Sequence, residues 1–357
     1  MYSLDKIVLF KRNFSIIDLF SKRGINAILV GLSFLIRTKR VFGYPVSLMI
    51  EPTNICNLRC RSCPIGLDKM TRTRGMMSFE TFKKIIDECG DYLLKIYLWH
   101  FGEPLLNNNF YEFVKYAKSK KIPYIVTSTN GHFFNIENTE KLLDCGIDHI
   151  IVALDGASQE TLSQYRVNAN FQQVMDGLKR LIQQKNKLNV PKPFVELQFI
   201  IMSHNEHEIK KIKKIAEEIG VDKLSFKTHD VGVWDSDFEK ESKKWVAKTI
   251  PNLFLNNGYD LQSAKRNMCI WLWTSCVITQ DGIVVPCCYD YDGEMNMGNL
   301  KDNSFREIWN GKNYQLFREK ILLNRRNIPK CAICSEGIVD NYYYSEEELN
   351  KFINCIK

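Results

Sequence analysis

Between residues 45 and 230, short apolar runs alternate with longer amphipathic stretches. Six runs rich in β-branched and aromatic residues predict strands at Ser47–Ile50, Lys95–His100, Tyr124–Ser128, His149–Leu154, Val195–Met202 and Lys223–Lys227. Apolar positions recurring every three or four residues predict helices at Phe79–Cys89, Phe110–Lys121, Glu137–Cys145, Phe171–Lys185 and Glu206–Ile219. Strands and helices in this alternation form a parallel sheet, so we expect an α/β fold. An open or partial barrel and a doubly wound sheet are both compatible with the pattern.

The alternation stops after Lys227, and the sequence as a whole predicts five segments. Residues 1–44 indicate an N-terminal helical extension, 45–230 the main domain, and 231–265 a linker with local helix. Residues 266–340 carry cysteines and turns, and the Asp281-Gly282 pair between two β-rich runs predicts a hairpin. Residues 341–357 indicate a short polar tail helix.

Composition narrows the class of protein. The 357 residues are 45% hydrophobic and 25% charged, which is ordinary for a globular protein and excludes an overall disordered, collagenous or coiled-coil chain. A net charge of +8 does not require nucleic acid, and we expect no nucleic-acid partner. Twelve cysteines in a chain of this length are too few for a disulfide scaffold. They occur in clusters, and in a reducing compartment such clusters indicate metal ligands. With no secretory signal recognisable, we expect a cytoplasmic protein.

An apolar run near the N-terminus has basic residues on both sides. It extends from Ala27 to Ile36, and its ten residues are too few to span a bilayer. One interpretation is a helix packed on the main domain. The other is an interfacial helix that contacts anionic lipid through residues 27–40.

Three cysteines follow the first predicted strand, in the spacing Cys56-x₃-Cys60-x₂-Cys63. Loops after the strands of a parallel fold form its functional face. Three thiolates on one loop can hold a [4Fe–4S] cluster and leave one of its four irons open for a ligand. The alternatives are a zinc site with a fourth ligand from elsewhere, or buried thiols.

Four segments resemble the radical S-adenosylmethionine (SAM) enzymes. Each follows a predicted strand, and in order they are Cys56-x₃-Cys60-x₂-Cys63, Trp99-His-Phe-Gly102-Glu103-Pro104, Thr127-Ser-Thr129-Asn130-Gly131, and Ala153-Leu-Asp155-Gly156 with Arg166. Their order and spacing match that family across roughly residues 45–230. The resemblance implies a partial (β/α)₆ barrel of the TIM type. It also implies that SAM binds the open iron and is cleaved reductively to a 5′-deoxyadenosyl radical, which abstracts hydrogen from the substrate.

The resemblance further implies which residues contact SAM. Gly102 and Glu103 would meet the methionine amino group, and Arg166 would pair with its carboxylate, a task that suits a guanidinium. The other implied cofactor-binding residues, near the ribose or the substrate, are Ser128, Thr129, Asn130 and Asp155. Two positions depart from the family pattern. Ser62 replaces an aromatic residue that packs near adenine, and Ala153 replaces a serine that contacts SAM.

A second cysteine group lies between residues 269 and 334. The step from Gly282 to Cys287 and the stretch from Gly298 to Trp309 resemble the SPASM or shorter twitch extension of radical SAM enzymes, which implies an auxiliary [4Fe–4S] cluster. The spacing is similar to the single-cluster twitch domain of 2-deoxy-scyllo-inosamine dehydrogenases. By this resemblance the ligands are Cys269, Cys287, Cys331 and Cys334. Cys276 is the competitor for Cys269, and zinc is the alternative metal.

These features predict a radical SAM oxidoreductase that oxidises a secondary alcohol of a small sugar or cyclitol and passes an electron to the auxiliary cluster. Lys227 and His229, at the end of the sixth predicted strand, are the candidate bases. A flavodoxin or ferredoxin is the expected electron donor, and the basic run Lys210–Lys214 is a candidate contact for it. The alternative function is a maturase that epimerises or crosslinks a ribosomal peptide.

Overall fold

The computed structural model describes residues 20–230, 236–250, 267–332, 334, 343–345, 347 and 349–350. The chain divides into two compact units. The first comprises residues 1–55, 71–126 and 261–340, and the second comprises residues 56–70, 127–260 and 341–357. Much of the predicted linker and most of the predicted tail helix lie outside the described residues.

The first unit is built on a sheet to which both halves of the sequence contribute. Its strands are β1 (Ser47–Ile50), β3 (Lys95–Tyr97), the start of β4 (Tyr124–Thr129), β9 (Ser275–Ile278), β10 (Ile283–Val285) and β11 (Gly298–Asn299). β1 pairs in parallel with β3 on one side and with β9 on the other, where Ser47 faces Ser275. β10 and β11 continue the sheet in antiparallel pairing, which confirms the predicted hairpin at Gly282.

Helices cover this sheet. They are Lys22–Leu35, Phe79–Cys89, Phe110–Ser119, Trp271–Thr274, Phe305–Trp309, Lys312–Asn324 and Pro329–Ala332, with 3₁₀ turns at Pro104–Leu106 and Arg325–Asn327. Capping side chains determine where two of these helices begin. Ser78 accepts a hydrogen bond from the Thr81 amide as an N-cap, and Ser304 forms a complete capping box with Glu307. On the inner face of the helix Phe79–Cys89, the side chains of Phe82 and Ile85 are completely buried.

The second unit has a parallel three-stranded core of β5 (His149–Ala153), β7 (Phe194–Ile201) and β8 (Lys223–Thr228). A short antiparallel pair joins β2 (Arg59–Cys60) to β6 (Arg166–Val167). The helices are Ile136–Asp144, Gln159–Tyr165, Phe171–Lys187, Ile209–Ile219 and Ser236–Lys243, with a 3₁₀ turn at Glu206–Glu208. Gly220 ends its helix with φ +78°, a left-handed conformation that glycine adopts readily at a helix C-terminus.

The predicted strands and helices between residues 45 and 230 are confirmed within a few residues at their ends. The pattern missed the helix Gln159–Tyr165 and the pair β2–β6. It also gave no partner for β9, which joins β1 in parallel. Across the ranges that the structure describes, no helix combines the length and apolar character needed to cross a bilayer.

Candidate active site

The first three cysteines lie together on a loop of the second unit. Burial raises the pKa of the Cys60 thiol to about 12, Arg166 opposes this rise, and Cys63 and Cys56 add to it because their sulfurs are near. Backbone pairing holds the loop, since Cys60 faces Arg166 across β2 and β6. Gly66 is required behind it, because a Cβ there would come within 2.1 Å of the Cys60 carbonyl oxygen. The three thiols are therefore on one fixed loop, as the ligand prediction requires.

Asn130 ties the turn after β4 to this cysteine loop. Its amide nitrogen donates to Asn57 Oδ1 at 2.8 Å. Its own Oδ1 accepts from the backbone amide of His132 at 3.1 Å. Thr129 is buried and its hydroxyl accepts from the Gly131 amide, while Ser128 is half-buried. The Thr-Asn-Gly segment thus lies beside the cysteine loop, with Asn130 as the direct link.

Arg166 is held by Asp155. Its Nε and Nη2 both donate to Asp155 Oδ2, at 2.7 and 2.6 Å, and the other carboxylate oxygen accepts from the Ile200 amide. Burial acts to lower the pKa of Arg166, but the charges of Asp155 and Cys60 outweigh it and raise the pKa. The guanidinium therefore stays charged beside the cysteine loop. Its partner, Asp155, is a residue that the family resemblance also assigns to cofactor binding.

A cluster of rings lies beside Ser62, and the sequence did not predict it. The hydroxyls of Ser62 and Tyr165 are 2.6 Å apart. The Tyr165 ring stacks on His204 at 5.9 Å and meets His229 and Trp245 edge-on at 6.1 and 5.2 Å. Ser62 therefore holds an aromatic side chain next to the cysteine loop, at the position where the family pattern has an aromatic residue of its own.

Gly102 and Glu103 lie in the first unit, at a close crossing of two backbone segments. Gly102 has φ +86°, and a Cβ there would come within 2.3 Å of the Thr53 carbonyl oxygen. The Glu103 amide donates to the Ile55 carbonyl at 2.9 Å, and Ile55 directly precedes Cys56. The Glu103 carboxylate is buried and accepts from the Leu105 amide at 3.2 Å. A residue with a Cβ would not fit at this crossing, which explains why glycine occupies position 102.

Three cysteines of the second group are close together in the first unit. Burial raises the pKa of Cys331 to about 12, and nearby Cys287 and Cys269 add to the rise. Burial likewise raises the pKa of Cys269 to about 11, with a further contribution from Cys287. Cys334 is buried. Within the described residues, no group of three or more His, Cys, Asp or Glu side chains is already arranged to hold a metal ion.

Cys276 lies in a different environment from these three. It is fully buried on β9. Burial raises its pKa to about 12, and the groups that oppose this rise are Tyr314 and Arg318. Its sulfur neighbour is Cys89, whose pKa burial and Cys276 both raise. Cys269 thus lies near Cys287 and Cys331, whereas Cys276 lies near Cys89, and the choice of Cys269 as a ligand stays a prediction.

A buried arginine connects the two ends of this second group. Arg325 is 2% exposed, and it donates from Nε to the Cys331 carbonyl and from Nη1 to the Met268 carbonyl, each at 3.0 Å. Met268 directly precedes Cys269. The charge of Arg325 opposes the rise in the pKa of both Cys269 and Cys331. It therefore fixes the backbone at two predicted ligands and puts a positive charge beside them.

A buried ion pair connects the end of β1 with the cysteine-rich segment. Arg72 Nη1 and Nη2 donate to the two oxygens of Glu51, both at 2.9 Å. The Gln280 amide donates to the same carboxylate at 3.0 Å. His100 lies between the two regions, with Nδ1 3.4 Å from Glu51 and Nε2 2.9 Å from the Cys288 carbonyl.

Comparison with known proteins identifies the class. Residues 50–216 match the model of the radical SAM superfamily, and residues 269–335 match that of the iron–sulfur cluster-binding domain SPASM. The chain thus carries a radical SAM domain followed by a SPASM domain, which confirms the resemblance seen in its motifs. These domains imply SAM and [4Fe–4S] clusters, including an auxiliary cluster, as cofactors.

Individual relatives have different substrates. An AdoMet-dependent heme synthase of Methanosarcina barkeri is 26% identical over 320 residues, which cover 80% of this chain and 86% of the relative. The crystal structure of BtrN in complex with AdoMet and 2-DOIA is similar with a TM-score of 0.53 and 20% identity, covering 84% of this chain and 96% of BtrN. Streptococcus suis SuiB bound to its precursor peptide SuiA has a TM-score of 0.60 and 12% identity, covering 82% of this chain and 70% of SuiB. Both structures support the predicted fold, a partial barrel with a small C-terminal cluster domain.

Proposed function

We propose that this protein is a radical SAM oxidoreductase that oxidises a secondary alcohol of a small polar molecule, such as a sugar or cyclitol. The observation that carries the proposal is a group of polar side chains on one face of the strands of the second unit, which we call the polar face. Its polar side chains are His149, Glu196, Gln198, Ser225 and Lys227, and they alternate with Ile151, Ala153, Phe194 and Ile200 on the same face. In the register, Gln198 lies directly opposite Ser225. On the opposite face of these strands the side chains are mainly apolar and buried, among them Ile150, Leu197 and Phe226.

Buried polar side chains are costly unless they have partners, and ligand sites commonly combine a few such groups with apolar ones. On the polar face Ser225 donates to Glu196 Oε1, and Gln198 donates to the Tyr343 hydroxyl at 3.1 Å. His149 Nε2 lies 3.1 Å from Glu196 Oε2. Carboxylate, amide and hydroxyl groups on one face suit the hydroxyls of a polyol.

Cysteine is the residue type that holds a [4Fe–4S] cluster, and the proposal assigns the cysteines as follows. Cys56, Cys60 and Cys63 would hold the first cluster. Cys269, Cys287, Cys331 and Cys334 would hold the second. The residues expected to contact SAM are Gly102, Glu103, Ser128, Thr129, Asn130, Asp155 and Arg166. When bound, these groups supply a hydrogen-atom abstractor at the first cluster and an electron acceptor at the second.

The chain itself must accept the hydroxyl proton. His229 is 2% exposed, its Nε2 lies 2.9 Å from the Ser242 hydroxyl, and burial lowers its pKa to about 4. A group with so low a pKa is a weak base, and it gives up an accepted proton readily at neutral pH. Lys227 is on the polar face, opposite Ile200 in the register, and is the other candidate.

Peptide modification is the second candidate function. The observation in its favour is the similarity to SuiB, whose structure contains a precursor peptide. A flavodoxin or ferredoxin as electron donor is part of both proposals, with the basic helix face that includes Lys210 and Lys214 as the contact.

Product mass distinguishes the two functions. The reconstituted enzyme is incubated anaerobically with SAM, dithionite and a panel of cyclitols, amino-sugars and candidate peptides. Loss of two hydrogens from a polyol, with 5′-deoxyadenosine formed, supports the proposal; a modified peptide or an unchanged product mass contradicts it. The Cys56→Ala/Cys60→Ala/Cys63→Ala variant is the control and must form no 5′-deoxyadenosine.

A further inference from the structure

The N-terminal helix Lys22–Leu35 buries two polar side chains and leaves four large apolar side chains exposed. The residues that it buries are Gly24, Asn26, Val30 and Ser33. Its exposed apolar side chains are Ile25, Ile28, Leu32 and Leu35, with exposures of 49%, 56%, 44% and 75%. We call these four residues the apolar stripe. Their spacing of three or four puts them on one side of the helix.

Specific hydrogen bonds fix this orientation. Asn26 donates to the Tyr44 carbonyl at 2.9 Å and accepts from the Tyr44 amide at 2.8 Å. Ser33 Oγ accepts from the Phe42 amide at 2.9 Å. Arg23 donates to the carbonyls of Gly90, Leu93 and Lys120. Rotating the helix to bury the stripe would break these bonds and leave buried polar groups without partners.

The exposed apolar surface continues beyond both ends of the helix. Phe20 precedes it with 81% exposure, and Ile36 and Phe42 follow it with 55% and 53%. Single exposed apolar side chains are normal, but a contiguous row of them marks an interaction surface. A helix of 14 residues is about 21 Å long, which gives the stripe the length of an interfacial membrane helix.

The sequence around the stripe is basic. Between Asp18 and Glu51 the sequence has five basic residues and no acidic residue. Lys22 and Lys39 form exposed pairs with Asp91 and Glu319. Arg37 and Arg40 are also exposed, and no described carboxylate forms an ion pair with either. An apolar row beside basic side chains is complementary to a bilayer that contains anionic lipid.

We propose that the apolar stripe and the flanking arginines bind the protein to the surface of an anionic lipid membrane. Lying in the interface, the helix would bury the stripe among the acyl chains and keep Arg37 and Arg40 at the headgroups. This binding is independent of the proposed reaction, because none of these residues belongs to the cysteine loops or to the polar face.

Vesicle flotation of the full-length, cluster-loaded protein tests the proposal. Vesicles of phosphatidylcholine alone are compared with vesicles that also contain about 30% phosphatidylglycerol. We expect the protein to float with the anionic vesicles and to dissociate at high salt. The variant Ile28→Gln/Leu32→Gln/Leu35→Gln should bind on the order of a hundredfold more weakly, since three apolar side chains no longer leave water.

The matched control removes three equally exposed apolar side chains elsewhere, as Ile136→Gln/Leu188→Gln/Leu323→Gln; their exposures are 62%, 59% and 73%. This control should bind like the unchanged protein, and both variants should keep its circular dichroism and iron content. The proposal is overturned if the unchanged protein does not bind anionic vesicles, or if the two variants bind equally. A stripe variant that instead converts a dimer to a monomer in light scattering would assign the stripe to a second copy of the chain and also overturn the proposal.

Discussion

Glu51→Gln tests the energetic importance of the buried ion pair with Arg72. The pair has two hydrogen bonds of 2.9 Å, and the side chains are 0% and 5% exposed. Removing one charge of such a pair leaves the other charge buried without compensation, which costs about 3–5 kcal/mol. Burial acts to raise the pKa of Glu51, yet hydrogen bonds from His100 and Arg72 lower it from 4.5 to about 2. A shift of this size corresponds to about 3 kcal/mol, in agreement with the first figure.

The assay is urea unfolding of the cluster-loaded protein under anaerobic conditions. At pH 7 Glu51→Gln should lower the free energy of unfolding by about 3 kcal/mol. Because the pKa is depressed in the folded state, the stabilisation by this carboxylate is fully present above pH 4.5, the unfolded value, and is lost as the pH falls through 2. The difference between the variant and the unchanged protein should therefore shrink as the pH falls through that range.

Asp87→Asn is the matched control for the effect of burial. Asp87 pairs with Lys83 at 2.6 Å and with Lys120 at 2.7 Å, but its side chain is 34% exposed and theirs are 50% and 41% exposed. We expect a loss below about 1 kcal/mol there. The double variant Glu51→Gln/Arg72→Met should recover part of the loss, because it no longer buries an unpaired cation. If Glu51→Gln costs no more than Asp87→Asn, the reasoning is refuted.

Three further predictions concern the two cysteine groups. With the first three cysteines replaced by alanine, Cys269→Ala should abolish the remaining iron and Cys276→Ala should not; iron analysis showing the reverse would exchange their roles. Arg325→Gln should lower the reduction potential of the auxiliary cluster by tens of millivolts, because a buried positive charge stabilises the reduced state. The control Arg326→Gln changes an exposed arginine and should leave the potential unchanged. Equal potentials for the two variants in a redox titration would contradict this prediction. Gly102→Ala should abolish SAM cleavage and lower the melting temperature, since its Cβ would meet the Thr53 carbonyl oxygen at 2.3 Å; unchanged 5′-deoxyadenosine formation would show that the close crossing is not required.

The sequence alone determined the features that depend on local order. Alternating apolar runs located the six strands, because a strand or an amphipathic helix shows its buried side in its own spacing. Helix ends are also local, since a cap acts on the nearest amides and carbonyls: Ser78 caps a helix start and Gly220 a helix end. The three-cysteine loop was also evident, because its ligands lie within eight residues.

Only the tertiary structure decided which distant segments meet. β9 pairs with β1 although Ser275 and Ser47 are 228 residues apart. The pairing of Arg166 with Asp155, the Tyr165 ring beside Ser62, and the position of Arg325 at two predicted ligands likewise arise from contacts between separate elements. Sequence spacing does not encode such contacts.

The N-terminal helix shows the same limit most clearly. Its apolar run predicted a helix, but the run could not say which side would be buried, since both a packed and an interfacial helix have that pattern. The decision came from Asn26 and Ser33, whose hydrogen-bond partners, Tyr44 and Phe42, lie in the loop that follows the helix. Satisfying those polar groups fixed the helix with its apolar stripe outward, because buried polar atoms without partners cost more than exposed apolar ones.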